Sequence, residues 1–240
     1  MELSVVIPVL NEAGNIEPLL AEVVAALQGK FDFEIVYVDD ASDDATPVEL
    51  ASARRRNPRL RVVTHRRTCG QSTALRSGII AARGDWIATL DGDGQNDPAD
   101  IPKLLEVARQ AAAAGQTVLV AGYRKRRQDS NVKRLSSRVA NAVRSRLLGD
   151  ATPDTGCGLK LFARATFLAL PQFDHMHRFL PALVRRQGGA VLSVDVQHRA
   201  RQRGESKYGI HNRLWVGIID LLGVWWLQRR SCKPVVTEVC

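Results

Sequence analysis

Apolar residues in the first half of the chain alternate between two spacings. Leu3–Val9 is a nearly continuous apolar run of strand length. Beyond it, Ile16, Leu19, Leu20, Val23, Val24 and Leu27 recur at helical intervals, so one face of that helix turns toward a core, and Asn15 is positioned to cap it. Phe33–Val38 is a second strand. Thr46 and Pro47 offer an N-cap and a first-turn proline for a helix running to about Arg56. The same alternation predicts a strand at Leu60–Thr64, a helix from Gln71 to Arg83, a strand at Trp86–Leu90, a helix from about Pro98 to Ala114 closed by Gly115, and a strand at Thr117–Ala121. Strands that alternate with helices of this length imply right-handed βαβ units and a mostly parallel sheet, hence an α/β fold.

The second half is less regular. A basic loop (Arg124–Arg134) precedes a helix around Leu135–Leu148 and a turn-rich stretch, Gly149–Gly158. A helix near Arg178–Gln187 and a strand at Val191–Gln197 follow. Leu214–Leu227 is apolar nearly all round and flanked by Arg213, Arg229 and Arg230. It falls short of the roughly 20 apolar residues that span a bilayer, and its three tryptophans suit a headgroup boundary as well as a packed helix.

Composition narrows the function classes. At 240 residues with 45% hydrophobic content the chain can bury one good core. Its net charge of +9 points to an anionic partner: nucleic acid, an acidic membrane surface or a phosphorylated small molecule. The four cysteines (Cys69, Cys157, Cys232, Cys240) form no C-x-x-C pair, which argues against a zinc site or a disulfide framework and fits a reducing compartment. The G-x-x-x-x-G-K-[ST] loop, the G-x-G-x-x-G turn after strand one and the G-x-S-x-G elbow are all missing from the sequence. The pair His175-x-His177 reads as surface loop. No recognised nucleic-acid motif accompanies the basic runs, so a nucleic-acid partner is not expected.

Polar residues cluster where the strands end. Asn11 and Glu12 follow the first strand, Asp39 and Asp40 end the second, and Asp91-Gly92-Asp93 ends the fourth. Open parallel sheets bind ligands outside the carboxyl ends of their strands. Singly, such residues are turn formers and caps. Together they allow two aspartates spaced by one glycine to share a hard cation, Mg²⁺ or Mn²⁺, that neutralises a diphosphate.

The chain resembles the family 2 inverting glycosyltransferases, in the dolichyl- and polyprenyl-phosphate sugar transferase branch. Pro8, Asn11 and Glu12 match an opening P-x-x-N-E signature, and Asp39-Asp40-Ala41-Ser42 a D-D-x-S loop. Asp91, Asp93 and Gln95, followed by Asp97-Pro98, correspond to a D-x-D-x-Q metal motif. Ser137-Arg138 with Asn141 resembles an S-R-x-x-N helix, Asp154–Lys160 a glycine-containing D-x-x-x-G segment, and Arg201–Lys207 an R-x-x-G-E-S-K signature. Cys157 departs from the aromatic common at its position.

The resemblance implies a GT-A-type fold over residues 1–210 and a C-terminal amphipathic, interfacial helix and tail over 211–240. It implies that Pro8, Asn11, Glu12, Asp39 and Asp40 bind the donor, with Arg124, Lys133 and Arg134 on its phosphates. Asp91, Asp93 and Gln95 would hold Mg²⁺ or Mn²⁺, while Ser137, Arg201 and Lys207 receive the acceptor phosphate. Asp91, Asp93 and Arg201 then carry catalysis. The implied reaction moves a hexose, with inversion, from a GDP-mannose- or UDP-glucose-type donor to a polyprenyl phosphate. A glycan, glycolipid or protein acceptor is the alternative. The expected setting is the cytoplasm or the cytoplasmic face of a membrane, reached through the lipid surface or a partner membrane protein.

Overall fold

The computed structural model describes residues 1–124, 144–149, 152–200 and 210–230, with side chains of the last segment from Gly217 onward. Seven strands form one sheet in the order β3-β2-β1-β4-β6-β5-β7. In chain order they are β1 (Leu3–Val9), β2 (Phe33–Asp39), β3 (Leu60–Thr64), β4 (Trp86–Thr89), β5 (Val118–Tyr123), β6 (Lys160–Ala163) and β7 (Ala190–Asp195). The helices are α1 (Ile16–Leu27), α2 (Thr46–Arg56), α3 (Gln71–Ala81), α4 (Ile101–Ala113), α5 (residues 144–148), α6 (Arg164–Leu168), α7 (Leu180–Arg186) and α8 (Ile210–Arg229).

Strands β1 to β4 are mutually parallel, as the alternating pattern predicts. Alternate residues of β1 face opposite layers. Leu3, Val5, Ile7 and Val9 join the core under α1, α2 and α4, while Val6 joins the one under α3, α6 and α7. Gly78 lets α3 lie close to the sheet, because a Cβ there would stand 2.5 Å from Val6 Cγ1.

The main topological surprise is β6. It runs antiparallel to both β4 and β5 in the middle of the sheet, with Thr89 opposite Lys160. The sequence pattern does not reveal it, because the strand has only four residues and opens on a charged one. Its direction has a functional consequence. The segment entering β6 arrives at the same edge at which β1, β2 and β4 finish.

Local signals also differ in detail from expectation. Asn15 occupies the N-cap position of α1 but its backbone is already helical, and its side-chain amide donates to Glu12 Oε2 at 2.8 Å instead of capping. Thr46 is the first residue of α2, not its cap: Asp44 Oδ1 accepts the Thr46 N–H at 2.8 Å, and Thr46 Oγ1 accepts the Glu12 N–H at 2.9 Å. The helix expected to Arg83 stops at Ala81, where the Arg83 and Gly84 amides turn to buried Glu34 and Ser4. His175 and His177 are not a loose surface loop. His175 lies 3.0 Å from Asp220 of α8, and His177 Nδ1 lies 2.7 Å from Ser72 Oγ at the start of α3.

Among the described residues no helix is long and apolar enough to cross a membrane. Helix α8 has one face packed on the core and one exposed. Val224 is buried, with Leu221, Trp225 and Leu227 packed on the same core as α7. Ile219, Leu222 and Trp226 point outward, 68%, 54% and 56% exposed.

Candidate active site

The crevice between β1 and β4 is a topological switch point, since β2 and β3 build away from β1 on one side and β4 joins it on the other. Val6 is the last β1 residue paired with β4, opposite Thr89, and its carbonyl accepts the Leu90 N–H. Pro8 is the next β1 residue to face that side. Proline has no N–H to continue the ladder, so β1 and β4 part there and the Asp91 loop leaves the sheet. Gly92 is required at the exit, because a Cβ on it would meet Val9 Cγ1 at 2.5 Å.

Two residues on this rim, Asn11 (φ 53°) and Ala41 (φ 64°), adopt left-handed backbone without being glycine. Such residues cost about 1–2 kcal/mol and concentrate at functional sites. Here cross-loop bonds hold them. Asn11 Nδ2 donates to Asp43 Oδ1 at 2.5 Å, and the Asp43 and Asn11 backbone amides donate to Asn11 Oδ1 and Ser42 Oγ, both at 2.9 Å. Asp39 Oδ1 accepts the Ser42 N–H at 3.0 Å from a nearly inaccessible position. Asp40 is equally buried and turned inward, accepting the Cys69 N–H at 2.9 Å and the Gly70 N–H at 2.8 Å. His65 adds a third bond to its carboxylate at 2.6 Å.

Asp91 occupies the centre of the crevice. Gln71, the first residue of α3, donates from Nε2 to Asp91 Oδ1 at 2.9 Å. Gly158 flanks it, and Thr89 Oγ1 fixes that neighbour by donating to Gly158 O at 2.7 Å. Burial and then the charge of Asp93 push the Asp91 carboxyl above its ordinary pKa, while Lys160, Arg124 and the Gln71 bond act in the opposite sense. Asp93 Oδ1 accepts the Gln95 N–H at 3.1 Å, closing the Asp91–Gln95 turn.

Cations stand behind these carboxylates. Arg124, at the end of β5, donates to both oxygens of buried Asp154, at 2.6 and 2.9 Å. Burial lowers the Arg124 pKa, but the Asp154 bonds outweigh it and leave the guanidinium above its usual value. Lys160 is buried, its ammonium donates to Cys157 O, and burial pushes its pKa down. Burial, and then Lys160, push His177 to about 3, so its imidazole is neutral. On the far rim, Arg199 bonds Glu22 of α1 at 2.8 Å and Asp97 at 2.7 Å, and its N–H donates to Gln95 O at 2.9 Å. Burial raises the Asp97 pKa, but Arg199 and the Ala99 N–H outweigh it and keep the carboxylate ionised.

The strand-end residues anticipated from sequence therefore share one edge. Pro8, Asn11, Glu12, Asp39, Asp40, Asp91, Asp93, Gln95 and Arg124 all lie there. Lys133, Arg134, Ser137, Arg201 and Lys207 fall outside the described residues. Sequence reasoning missed Gln71, His65 and Arg199, and gave no role to Asp154, Gly158 or Lys160 although the motif containing them stood out. A polar residue directly after Gly70 at a helix start was the available signal for Gln71.

The donor set suits a hard divalent cation. Asp91 and Asp93 offer carboxylate oxygens and Gln95 an amide oxygen, the ligand class Mg²⁺ and Mn²⁺ prefer. The raised Asp91 carboxyl beside a second carboxylate is a like-charge pair that Lys160, Arg124 and the Gln71 bond only partly offset, and a cation would relieve it. By contrast, Asp40, His65 and Cys69, whose ligand atoms lie within 4.8 Å of one another, are knitted together by hydrogen bonds.

Comparison with known proteins accords with this geometry. Residues 4–169 match the family described as Glycosyl transferase family 2. A dodecaprenyl-phosphate galacturonate synthase of Rhizobium johnstonii is 39% identical over 246 aligned positions, covering 98% of this chain and 69% of that protein. An undecaprenyl-phosphate 4-deoxy-4-formamido-L-arabinose transferase of Edwardsiella ictaluri is 36% identical over 210 positions, covering 86% and 63%. The chain thus spans about two thirds of these relatives. Among solved structures, glucosyl-3-phosphoglycerate synthase from Mycobacterium tuberculosis, in complex with Mn²⁺, UDP-glucose and phosphoglyceric acid, superposes with a TM-score of 0.70 at 20% identity, covering 95% of this chain and 79% of that one. At that identity the likeness concerns the fold, and the α/β, GT-A-type expectation is borne out.

Proposed function

The chain belongs to glycosyl transferase family 2, and on that premise we propose that it transfers a sugar from a nucleoside-diphosphate donor to a polyprenyl phosphate. The observation that carries this reading is the Asp91–Gln95 turn at the switch point, facing the Asn11 and Asp39 loops. The names of the two relatives, both polyprenyl-phosphate sugar transferases, support the acceptor class.

In this reading Asn11, Glu12 and Asp39 hold the base and ribose, with Pro8 opening the crevice for them. Asp40 serves the same pocket from beneath, by fixing the Cys69 and Gly70 amides. Asp91, Asp93 and Gln95 would hold Mg²⁺ or Mn²⁺. When bound, the ion neutralises the departing diphosphate. Arg124 and Lys160 add fixed positive charge behind the carboxylates, and Lys133 and Arg134 clamp the phosphates.

Ser137, Arg201 and Lys207 receive the acceptor phosphate, arginine binding it with its planar fork. A phosphate monoester is anionic at neutral pH and attacks without a strong general base. One of its oxygens forms the bond to the anomeric carbon as the bond to the nucleoside diphosphate breaks on the opposite face, which inverts the centre. The protein's task is alignment and charge stabilisation. The outer face of α8, where Ile219, Leu222 and Trp226 are exposed and Arg230 lies 5.7 Å from the Trp226 ring, suits the surface of an anionic membrane, where the lipid acceptor resides.

GDP-mannose- and UDP-glucose-type donors are both compatible with this inventory. The test is product formation from labelled UDP-glucose, GDP-mannose and a galacturonate donor, with Mn²⁺ and either a short polyprenyl phosphate or a glycan. Lipid-linked sugar from any donor supports the proposal. Transfer to the glycan alone overturns the acceptor, and no transfer overturns the activity.

A further inference from the structure

His65, just beyond β3, sits between two side chains: its Nδ1 is 2.6 Å from Asp40 Oδ1 and its Nε2 is 2.9 Å from Ser77 Oγ. An ionised carboxylate only accepts, so Nδ1 carries the proton and, in the neutral ring, Nε2 accepts from the Ser77 hydroxyl. The order Asp–His–Ser is that of a hydrolase triad. Ser77, however, lies inside α3, where the backbone amides close the helix's own ladder and leave no donor pair for an oxyanion. The arrangement therefore positions groups instead of activating a nucleophile.

What it positions can be followed bond by bond. Asp40, 3% exposed, spends its oxygens on His65 and on the Cys69 and Gly70 amides. Gly70 (φ 86°) is the N-cap of α3, and the next residue, Gln71, donates to Asp91 Oδ1. On the other side the Asp40 N–H donates to Val9 O, and the His65 N–H to Asp39 O, both at 2.9 Å. The ends of β1, β2 and β3 and the start of α3 are thus joined at one Asp–His pair.

We propose that His65 is a positioning residue: through Asp40 and the Cys69 and Gly70 amides it sets Gln71, and through Gln71 the orientation of the Asp91 carboxyl. Its effect on turnover rests on the proposed function, whereas the positional link does not.

The test compares two substitutions. In His65→Asn the side-chain amide stands where Nδ1 stood and still donates to Asp40. In His65→Gln it reaches toward Ser77 and leaves Asp40 short of a donor. Loss of one such bond is expected to lower kcat about tenfold in His65→Gln, with donor KM within about twofold, and to keep His65→Asn within about threefold of wild type. Amide hydrogen exchange over residues 66–71 rises in His65→Gln and not in His65→Asn. In a Gln71→Ala background His65→Gln costs no further kcat. Equal losses in the two variants, full additivity with Gln71→Ala, or unchanged exchange over 66–71 in His65→Gln would each overturn the proposal. A wild-type protein inactive with every donor defeats the proposed function instead, and the exchange comparison then decides the positional link alone.

Discussion

Asp91 packs so closely on Gly158 that a Cβ at position 158 would overlap all three terminal atoms of the Asp91 carboxyl. The contact joins the end of β4 to the segment entering β6, and the Thr89–Gly158 bond holds it in register. Gly158 has no left-handed backbone, and the three atoms nearest an added Cβ all belong to the Asp91 carboxyl, so alanine there presses first on that group. Gly158→Ala is expected to leave folding intact, with little change in Tm, and to lower turnover about 100-fold by displacing Asp91 by about 1 Å. Paired melting and rate measurements check it.

The Asp91 carboxyl should govern how cation affinity depends on pH. Burial and Asp93 raise its pKa, so its charged form is disfavoured and it is protonated early as pH falls. As pH falls, Mn²⁺ affinity is therefore expected to begin dropping at a higher pH than an unperturbed aspartate would give. Gln71→Ala, which removes a bond favouring the ionised form, should weaken Mn²⁺ binding about fivefold at neutral pH, roughly 1 kcal/mol. Titrations followed by the free-Mn²⁺ spin resonance signal measure both.

Acid stability should depend on Glu34, far from the site at the opposite end of the sheet. Burial raises its pKa, but bonds from Arg61, Ser4 and the Arg83 N–H outweigh burial and hold it below the usual glutamate value. The folded protein thus binds fewer protons at Glu34 than the unfolded chain. Its contribution is complete above the unfolded pKa and lost as pH falls through the folded one. Glu34→Gln should cost about 2 kcal/mol at neutral pH and progressively less in acid, read from denaturant unfolding across pH.

Membrane contact through α8 makes a separate prediction. Ile219 and Leu222 lie on its outer face, away from Val224 and the core. Replacing both with glutamate should abolish sedimentation with phosphatidylglycerol vesicles while leaving Tm and transfer to a short, water-soluble acceptor unchanged. Unaltered vesicle binding would remove α8 from the account.

The parallel half of the fold was legible in the sequence because β1, β2 and β4 are largely buried apolar runs and α1 and α4 each have one apolar face. The Leu60–Thr64 strand has the expected bounds although it lies at the sheet edge with only Leu60 buried. β6 was not legible, since buried Lys160 interrupts the apolar signal in a four-residue strand. Asp91 and Asp93 could be singled out because two acids around one glycine at a strand end is a sparse pattern. The partners that orient Asp91 could not. Gln71 and Gly158 lie 20 and 67 positions away from it, and only the crossover to α3 and the reversed direction of β6 bring them together. The inward turn of Asp40 was hidden for the same reason, because its partners His65, Cys69 and Gly70 belong to the next crossover.

The most direct test of the account is Mn²⁺ titration of the wild type and of Asp93→Ala with a nucleoside diphosphate present, run beside the transfer assay. Nucleotide and Mn²⁺ are expected to bind the wild type cooperatively, and Asp93→Ala to lose both that cooperativity and transfer while keeping its Tm. Mn²⁺ binding unchanged in Asp93→Ala, or wild-type transfer undiminished by a chelator, would contradict it.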